Sequence, residues 1–177
     1  MDIVNVISKR TAVRHIVSEP LSRDHLRPLI QAAHLAPSSW NHQPWKFWVI
    51  TGRENLQYFG QNIAAPGNAW TAECGAVVVV CAVKHEIEGQ PENERTMYFD
   101  AGLAAQNLMI AATAQQLASC PMGGWGEAAL KKWLEIEDKF VPMCCIALGE
   151  VVDFEAFTKP ARDARVRKPL VEVVKYH

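Results

Sequence analysis

Net charge is what this chain has least of. Its 18 Lys and Arg offset 19 Asp and Glu, leaving a formal charge of −1. A near-neutral surface gives no global attraction to nucleic acid or to an anionic membrane, so any basic site is local. Long apolar runs are missing too. The longest, "AVVVVCAV" from Ala76 to Val83, falls far short of the roughly 20 residues a bilayer-spanning helix needs. The start, "MDIVNVISKR", carries Asp2 early and has only a short apolar face, so it is no secretory signal. Cysteine is sparse and odd in number: Cys74, Cys81, Cys120, Cys144 and Cys145 form no C-x-x-C pair and lie in apolar segments. Reduced, buried thiols in a cytoplasmic protein are the expectation. The six histidines lack H-E-x-x-H spacing, and no metal site is expected. Internal repeats and low-complexity stretches are absent. What remains is an ordinary globular composition over 177 residues, which predicts one domain, 1–177, able to bury a core.

Apolar periodicity divides the chain. Ile3, Val6 and Ile7 share a helical face behind Asp2, a candidate N-cap. A second helix, with Leu26, Leu29, Ile30 and Ala33 as its stripe, starts near Ser22 or Asp24; Pro28 argues for a late start. It stops at Pro37. "KFWVI" reads as a strand, a short helix follows through Leu56, Tyr58 and Phe59, and "AAPGNAW" reads as loop. Ala76–Val83, apolar on both faces, is a central strand. "KHEIEGQPENE" is a polar surface loop. From about Arg95 to Ser119 runs the longest helix, apolar nearly all round, which requires cover on most faces and suggests a subunit interface. "CPMGGWG" breaks that helix, "EAALKKWLEI" makes another, and "PMCCIALGEVV" a further strand. Interleaved helices and strands predict a layered α/β or α+β domain.

Three features suit chemistry better than packing. "APSSWNHQPW" is held by Pro37 and Pro44, and its Ser38, Ser39, Asn41, His42 and Gln43 are too polar to serve a core. Arg10 and Arg14 concentrate charge near the N-terminus; Arg162, Arg165, Arg167 and Lys168 do so near the C-terminus. Arginine offers a planar, permanently charged fork suited to phosphate oxygens. Gly123-Gly124 allows a backbone to approach a flat ligand closely, and matches neither G-x-G-x-x-G nor a P-loop.

Together these pieces resemble the nitroreductase family of FMN-dependent oxidoreductases, over the whole chain and in the same order. "SKRTAVRHI" is similar to the family's R-x-S-x-R phosphate segment. "APSSWNHQPW" resembles its A-P-S-x-x-N-x-Q-P-W signature. "DAGLAAQNLMIAATAQQLASCPMGG" looks like its central helix and flavin-contacting turn, and "RVRKPLVEVV" like its basic C-terminal tail. The resemblance implies an α+β nitroreductase-like fold: a central mixed β-sheet flanked by helices, a long buried central helix, and a C-terminal segment exchanged in a homodimer that holds FMN at its interface. It implies NAD(P)H as co-substrate and a small organic electron acceptor such as a nitroaromatic, quinone or enone. Neither nucleic acid nor membrane is a partner.

Residue by residue, Arg10, Thr11, Ala12 and Arg14 match the segment holding phosphate and ribityl chain. Arg165 and Arg167 match the C-terminal phosphate contacts. Pro37, Ser38, Ser39 and Asn41 match a loop that reaches the flavin of the other subunit, with Trp40 or Trp45 as apolar cover. Asn68 matches an asparagine near the pyrimidine end, and Pro121, Met122, Gly123 and Gly124 the turn beside the ring. Arg14 is the candidate for stabilising charge on reduced flavin, which itself carries the chemistry. Ala12 departs from the family's serine and loses a hydrogen bond, Met122-Gly123 offers no acid, and Trp70 stands near a lysine of some relatives. Lys84 to Thr96 is too short for a large lid, which leaves the acceptor open. Flavin reduction, reductive dehalogenation, a non-catalytic flavin protein, and a site for another phosphorylated ligand are the alternatives.

Overall fold

A computed structural model describes residues 2–83 and 94–176. The helices are α1 (Ile3–Lys9), α2 (Arg23–His34), α3 (Arg53–Tyr58), α4 (Glu94–Ala114), α5 (Glu127–Trp133) and α6 (Phe154–Asp163). The strands are β1 (Trp45–Ile50), β2 (Ala76–Val83), β3 (Ala118–Met122) and β4 (Phe140–Gly149). Asp2 caps α1 by accepting from the Val4 N–H at 3.3 Å, and Ser22 caps α2 by accepting from His25 at 3.3 Å. Contrary to the late start expected, α2 runs through Pro28. Pro28 and Asp24, whose carbonyl loses its helical donor, both lie on the exposed face, while Leu26, Leu29 and Ala33 anchor the inner one.

The four strands pair in the order β1-β2-β4-β3, each neighbour antiparallel. The mixed sheet expected is thus an antiparallel one; the parallel element is an isolated bridge from Ala12 to Ser119 beside β3. As expected, β2 is central. Its Val78, Val80 and Ala82 face the layer of α2 and α4, and Val77, Val79 and Cys81 face the opposite core with Leu56, Phe59 and Leu130. The long helix ends at Ala114, earlier than predicted, because Gln116 turns left-handed at φ 59° and residues 118–122 pair with β4. Cys120, Pro121 and Met122 are therefore strand, not a helix-breaking turn. Pro121 is tolerated because β3 is an edge strand. The stretch read as loop around Pro66 is a 3-10 helix, Pro66–Glu73, opened by its proline. The expected loop at 84–93 lies outside the described residues.

No helix among the described residues is long and apolar enough to cross a membrane. All five cysteines are free thiols, with Cys144 half-buried and the rest buried.

Candidate functional site

The N-terminal basic segment leaves α1 and runs along the outer edge of β3. The Val13 N–H donates to the Ser119 carbonyl at 3.1 Å, next to the Ala12–Ser119 bridge. Gly149 allows this docking, since a Cβ there would lie 2.5 Å from Ile16 and 2.8 Å from Ser18. His15, at φ 56°, kinks the chain just after Arg14. Thr11 is buried, Ala12 and Arg10 half-buried, and Arg14 exposed.

The C-terminus returns to the same place. Asp153 caps α6, and Glu155 on that helix pairs with Lys9 and, at 3.0 Å, with Arg162. Beyond the helix, Arg165 donates from Nη1 to the Arg10 carbonyl at 2.6 Å and from Nη2 to the Ser8 carbonyl at 2.8 Å. Arg165 and Arg167 stand close enough that, after burial, their charges are the main causes holding the Arg10 pKa below its ordinary value. Arg10 and Arg14 both act on the buried Cys120 thiol, whose pKa burial pushes up and the two cations pull down. Guanidinium groups from opposite ends of the polypeptide thus meet over one strand. Among the described residues, no carboxylate pairs with Arg10, Arg14, Arg165 or Arg167; Glu155 serves Lys9 and Arg162 instead. A cluster of like charges that no described carboxylate balances suits an anionic ligand.

The glycine turn continues from β3 along the same edge. Pro121 is exposed and Met122 buried. A Cβ on Gly123 would meet nothing within 4 Å, whereas one on Gly124 would press on Ala65 at 3.1 Å. The Gly124 carbonyl accepts from Ala65 N–H at 3.1 Å and from Asn68 Nδ2 at 3.2 Å. Asn68 therefore braces the turn. Trp70, two residues on, leaves its buried indole N–H without a partner and packs near the His15 ring, 6.1 Å between centroids.

The serine loop is elsewhere. Ser38–Pro44 leads into β1, the opposite edge of the sheet, and Pro44 accepts from Val83 at the far end of β2. Across the sheet, four strand spacings separate Trp45 from the Ala12 segment, about 19 Å. Along it, Trp45 pairs with Ala82 while Ser119 lies level with Ala76, about 20 Å further. One chain therefore puts the segment of Arg10 and its Arg165 partner at one corner and Pro37, Ser38, Ser39 and Asn41 at the diagonal one, with the glycine turn further along the arginines' edge.

Sequence reasoning missed what fixes that loop. Asp100, 2% exposed in α4, accepts from the Ser39 N–H at 2.9 Å and the Ser39 hydroxyl at 3.4 Å. After the first turn of α4 it is the one acid, followed by a mostly apolar run, and that isolation was the available signal. Ser38 Oγ accepts from the Gln43 N–H at 2.9 Å, and Trp40, Asn41 and Gln43 hold φ of 53°, 59° and 51°. Such non-glycine residues persist only where neighbours over-determine them. Trp45, offered as apolar cover, is core, its indole N–H bonded to His34 Nδ1 at 3.3 Å. Trp40 is 75% exposed and is the one available.

A family model described as the Nitroreductase family matches residues 7–66 and 59–150. The chain is 28% identical to a protein of Bacillus subtilis (strain 168) named as the NAD(P)H nitroreductase YodC, over 96% of each. A nitroreductase from Exiguobacterium sibiricum 255-15, solved in complex with FMN, superposes with a TM-score of 0.86 at 21% identity, covering 100% of this chain and 98% of that one. An oxidoreductase described as containing FMN gives 0.80 at 27% identity, covering 99% and 90%.

Proposed function

Because the chain belongs to the nitroreductase family, we propose that it is an FMN-dependent oxidoreductase. It takes hydride from NAD(P)H and reduces a small organic acceptor such as a nitroaromatic, quinone or enone, donor and acceptor using one open face in turn. The observation that carries the reading is the convergence of Arg10, Arg14, Arg165 and Arg167, without a paired carboxylate among the described residues, on the edge that leads to an open glycine turn. A flat, phosphorylated cofactor fits that donor set, and the FMN of the similar solved proteins supports its identity.

When bound, FMN supplies the hydride and electron chemistry. Arg10 and Arg167 hold the phosphate. Arg14, exposed on the strand edge, places a cation where it favours the more negative, reduced form of the ring. Gly123 leaves clear space alongside the ring, and Asn68 keeps the Gly124 backbone from shifting. No side-chain acid stands at Met122-Gly123, so protons come from water.

The chain works as a homodimer. The diagonal separation of loop and arginines leaves each corner incomplete, and a second copy brings Ser38, Ser39 and Asn41 to its partner's arginines. Apolar surface supports this: Ile3, Val4 and Ile7 of α1, Phe99 of α4, and Val166, Leu170, Val171 and Val173 of the tail all lie exposed. That tail exchanges onto the partner.

One preparation tests the reading. Protein reconstituted with FMN should sediment as a dimer, show flavin absorbance, and bleach under NADH or NADPH without oxygen. Bound flavin that no nicotinamide reduces favours the non-catalytic alternative; colourless monomer after reconstitution overturns the proposal.

A further inference from the structure

We propose that Arg165 is a positioning residue, a fork that fixes Arg10, and not itself a ligand of the phosphate. The inference rests on the FMN reading above and goes beyond it in dividing the labour among the arginines. Arg165 spends Nη1 on the Arg10 carbonyl at 2.6 Å and Nη2 on the Ser8 carbonyl at 2.8 Å. Both carbonyls belong to the end of α1, where the last turn leaves its C=O groups without helical partners. A cation there also complements the helix dipole. The Arg10 N–H is occupied as well, donating to the Val6 carbonyl at 3.0 Å. Arg10 is thus held on both sides of its α-carbon, and only its side chain is left to turn toward a ligand. Arg167, two residues after the fork, is exposed and has neither hydrogen bond nor ion pair within the described chain. It is the C-terminal group free to meet a phosphate.

The fork is itself held. Glu155 ties Lys9 on α1 to Arg162 on α6, and Arg162 Nη1 donates to Thr158 Oγ1 at 3.2 Å, so α6 delivers Arg165 to a fixed spot. In this arrangement the shape of the Arg165 side chain matters more than its charge. A lysine keeps the charge but gathers its donors on one nitrogen, and a glutamine keeps one NH2 on a shorter side chain without the charge, so neither reproduces a fork that sets a separate nitrogen on each carbonyl.

That contrast is the test. FMN affinity is measured by flavin fluorescence for wild type, Arg165→Lys, Arg165→Gln, Arg165→Ala, Arg10→Met and the Arg10→Met/Arg165→Ala double variant, with riboflavin titrated in parallel. Arg165→Ala, Arg165→Gln and Arg165→Lys should each weaken FMN about tenfold, the lysine no less than the glutamine, since neither restores the fork. The double variant should bind no more weakly than Arg10→Met alone, because the effect of Arg165 passes through Arg10. Riboflavin binding should be unchanged throughout. Additive losses, or Arg165→Lys near wild type with Arg165→Gln weak, make Arg165 a direct charge contact and overturn the positioning role alone. Wild type that binds no FMN overturns the cofactor reading and this inference with it. If Arg165→Ala does not fold, the lysine–glutamine comparison decides.

Discussion

Replacing Arg10 with methionine should make the empty protein no less stable and the FMN complex much weaker. The two effects have one origin. In the folded chain Arg10 is half-buried and faces Arg165 and Arg167, and burial followed by those two charges lowers its pKa. A base whose folded pKa is depressed is charged at a cost, so its cation opposes folding wherever it stays protonated. Methionine keeps the aliphatic bulk and removes that opposition, leaving the backbone carbonyl free to accept from Arg165 as before. With phosphate present, the same cation becomes an asset. A charge-assisted hydrogen bond is worth roughly 1.5–3 kcal/mol, which converts to about 10- to 150-fold in FMN dissociation constant. Thermal melts with and without FMN, beside fluorescence titrations of FMN and riboflavin, read both halves. Arg10→Met should melt at or above wild type when empty, gain less on adding FMN, and bind riboflavin as wild type does. A variant that loses FMN and riboflavin equally, or that melts well below wild type when empty, refutes the reasoning: Arg10 would then be structural.

Two further outcomes follow from buried groups. Asp100→Ala strands the Ser39 N–H without its 2.9 Å acceptor and should cost about 1–3 kcal/mol in urea unfolding. It should also speed proteolysis within 38–43, whereas Asp100→Asn, which keeps an acceptor oxygen, should lose less; wild-type stability and cleavage in Asp100→Ala would refute a bracing role. Burial pushes the Cys74 and Cys81 thiols up to about 12. Each keeps a proton that the unfolded chain releases near pH 8.5, so the stability it confers is whole below that pH. It falls by roughly 1.4 kcal/mol per pH unit per thiol as pH rises toward 12. Urea midpoints at about pH 8 and about pH 10 measure the fall, and a midpoint that does not drop refutes it.

Elements that carry their own signal were legible. The Ala76–Val83 run announced a central strand, Asp2 and Ser22 announced helix starts, and polar residues between prolines announced the loop before β1. Where expectation failed, tertiary contacts outweighed local preference. Ala118, Ser119 and Cys120 continue a helical composition, yet the free edge of β4 takes them as strand. Pro28 argued against a helix interior, yet it and Asp24 lie on the exposed face while the buried stripe of Leu26, Leu29 and Ala33 holds α2 through it. The role of Asp100 could not be read locally because its partner, Ser39, is 61 residues away.

The resemblance implied that the serine loop serves the other subunit, but residue order alone could not place the candidate residues at two corners, and the reason is geometric. Residue order gives Arg10, then Ser38, then Gly123, then Arg165, with nothing to say which of them share a corner. Strand order does say. Once β3 and β1 are opposite edges, the segment bridged to Ser119 and the loop that enters Trp45 are separated by the width and length of the sheet. The C-terminal arginines could have gone to either corner. Glu155 decides it, by joining Lys9 to Arg162 and bringing the fork of Arg165 down on α1. Positive charge therefore gathers at the β3 edge without a carboxylate among the described residues to balance it, while the serine loop, braced by Asp100, stands at the far corner with Trp40 turned to solvent. On the proposed reading, neither corner holds the cofactor alone. A ligand that needs both can be held only where two copies of the chain meet.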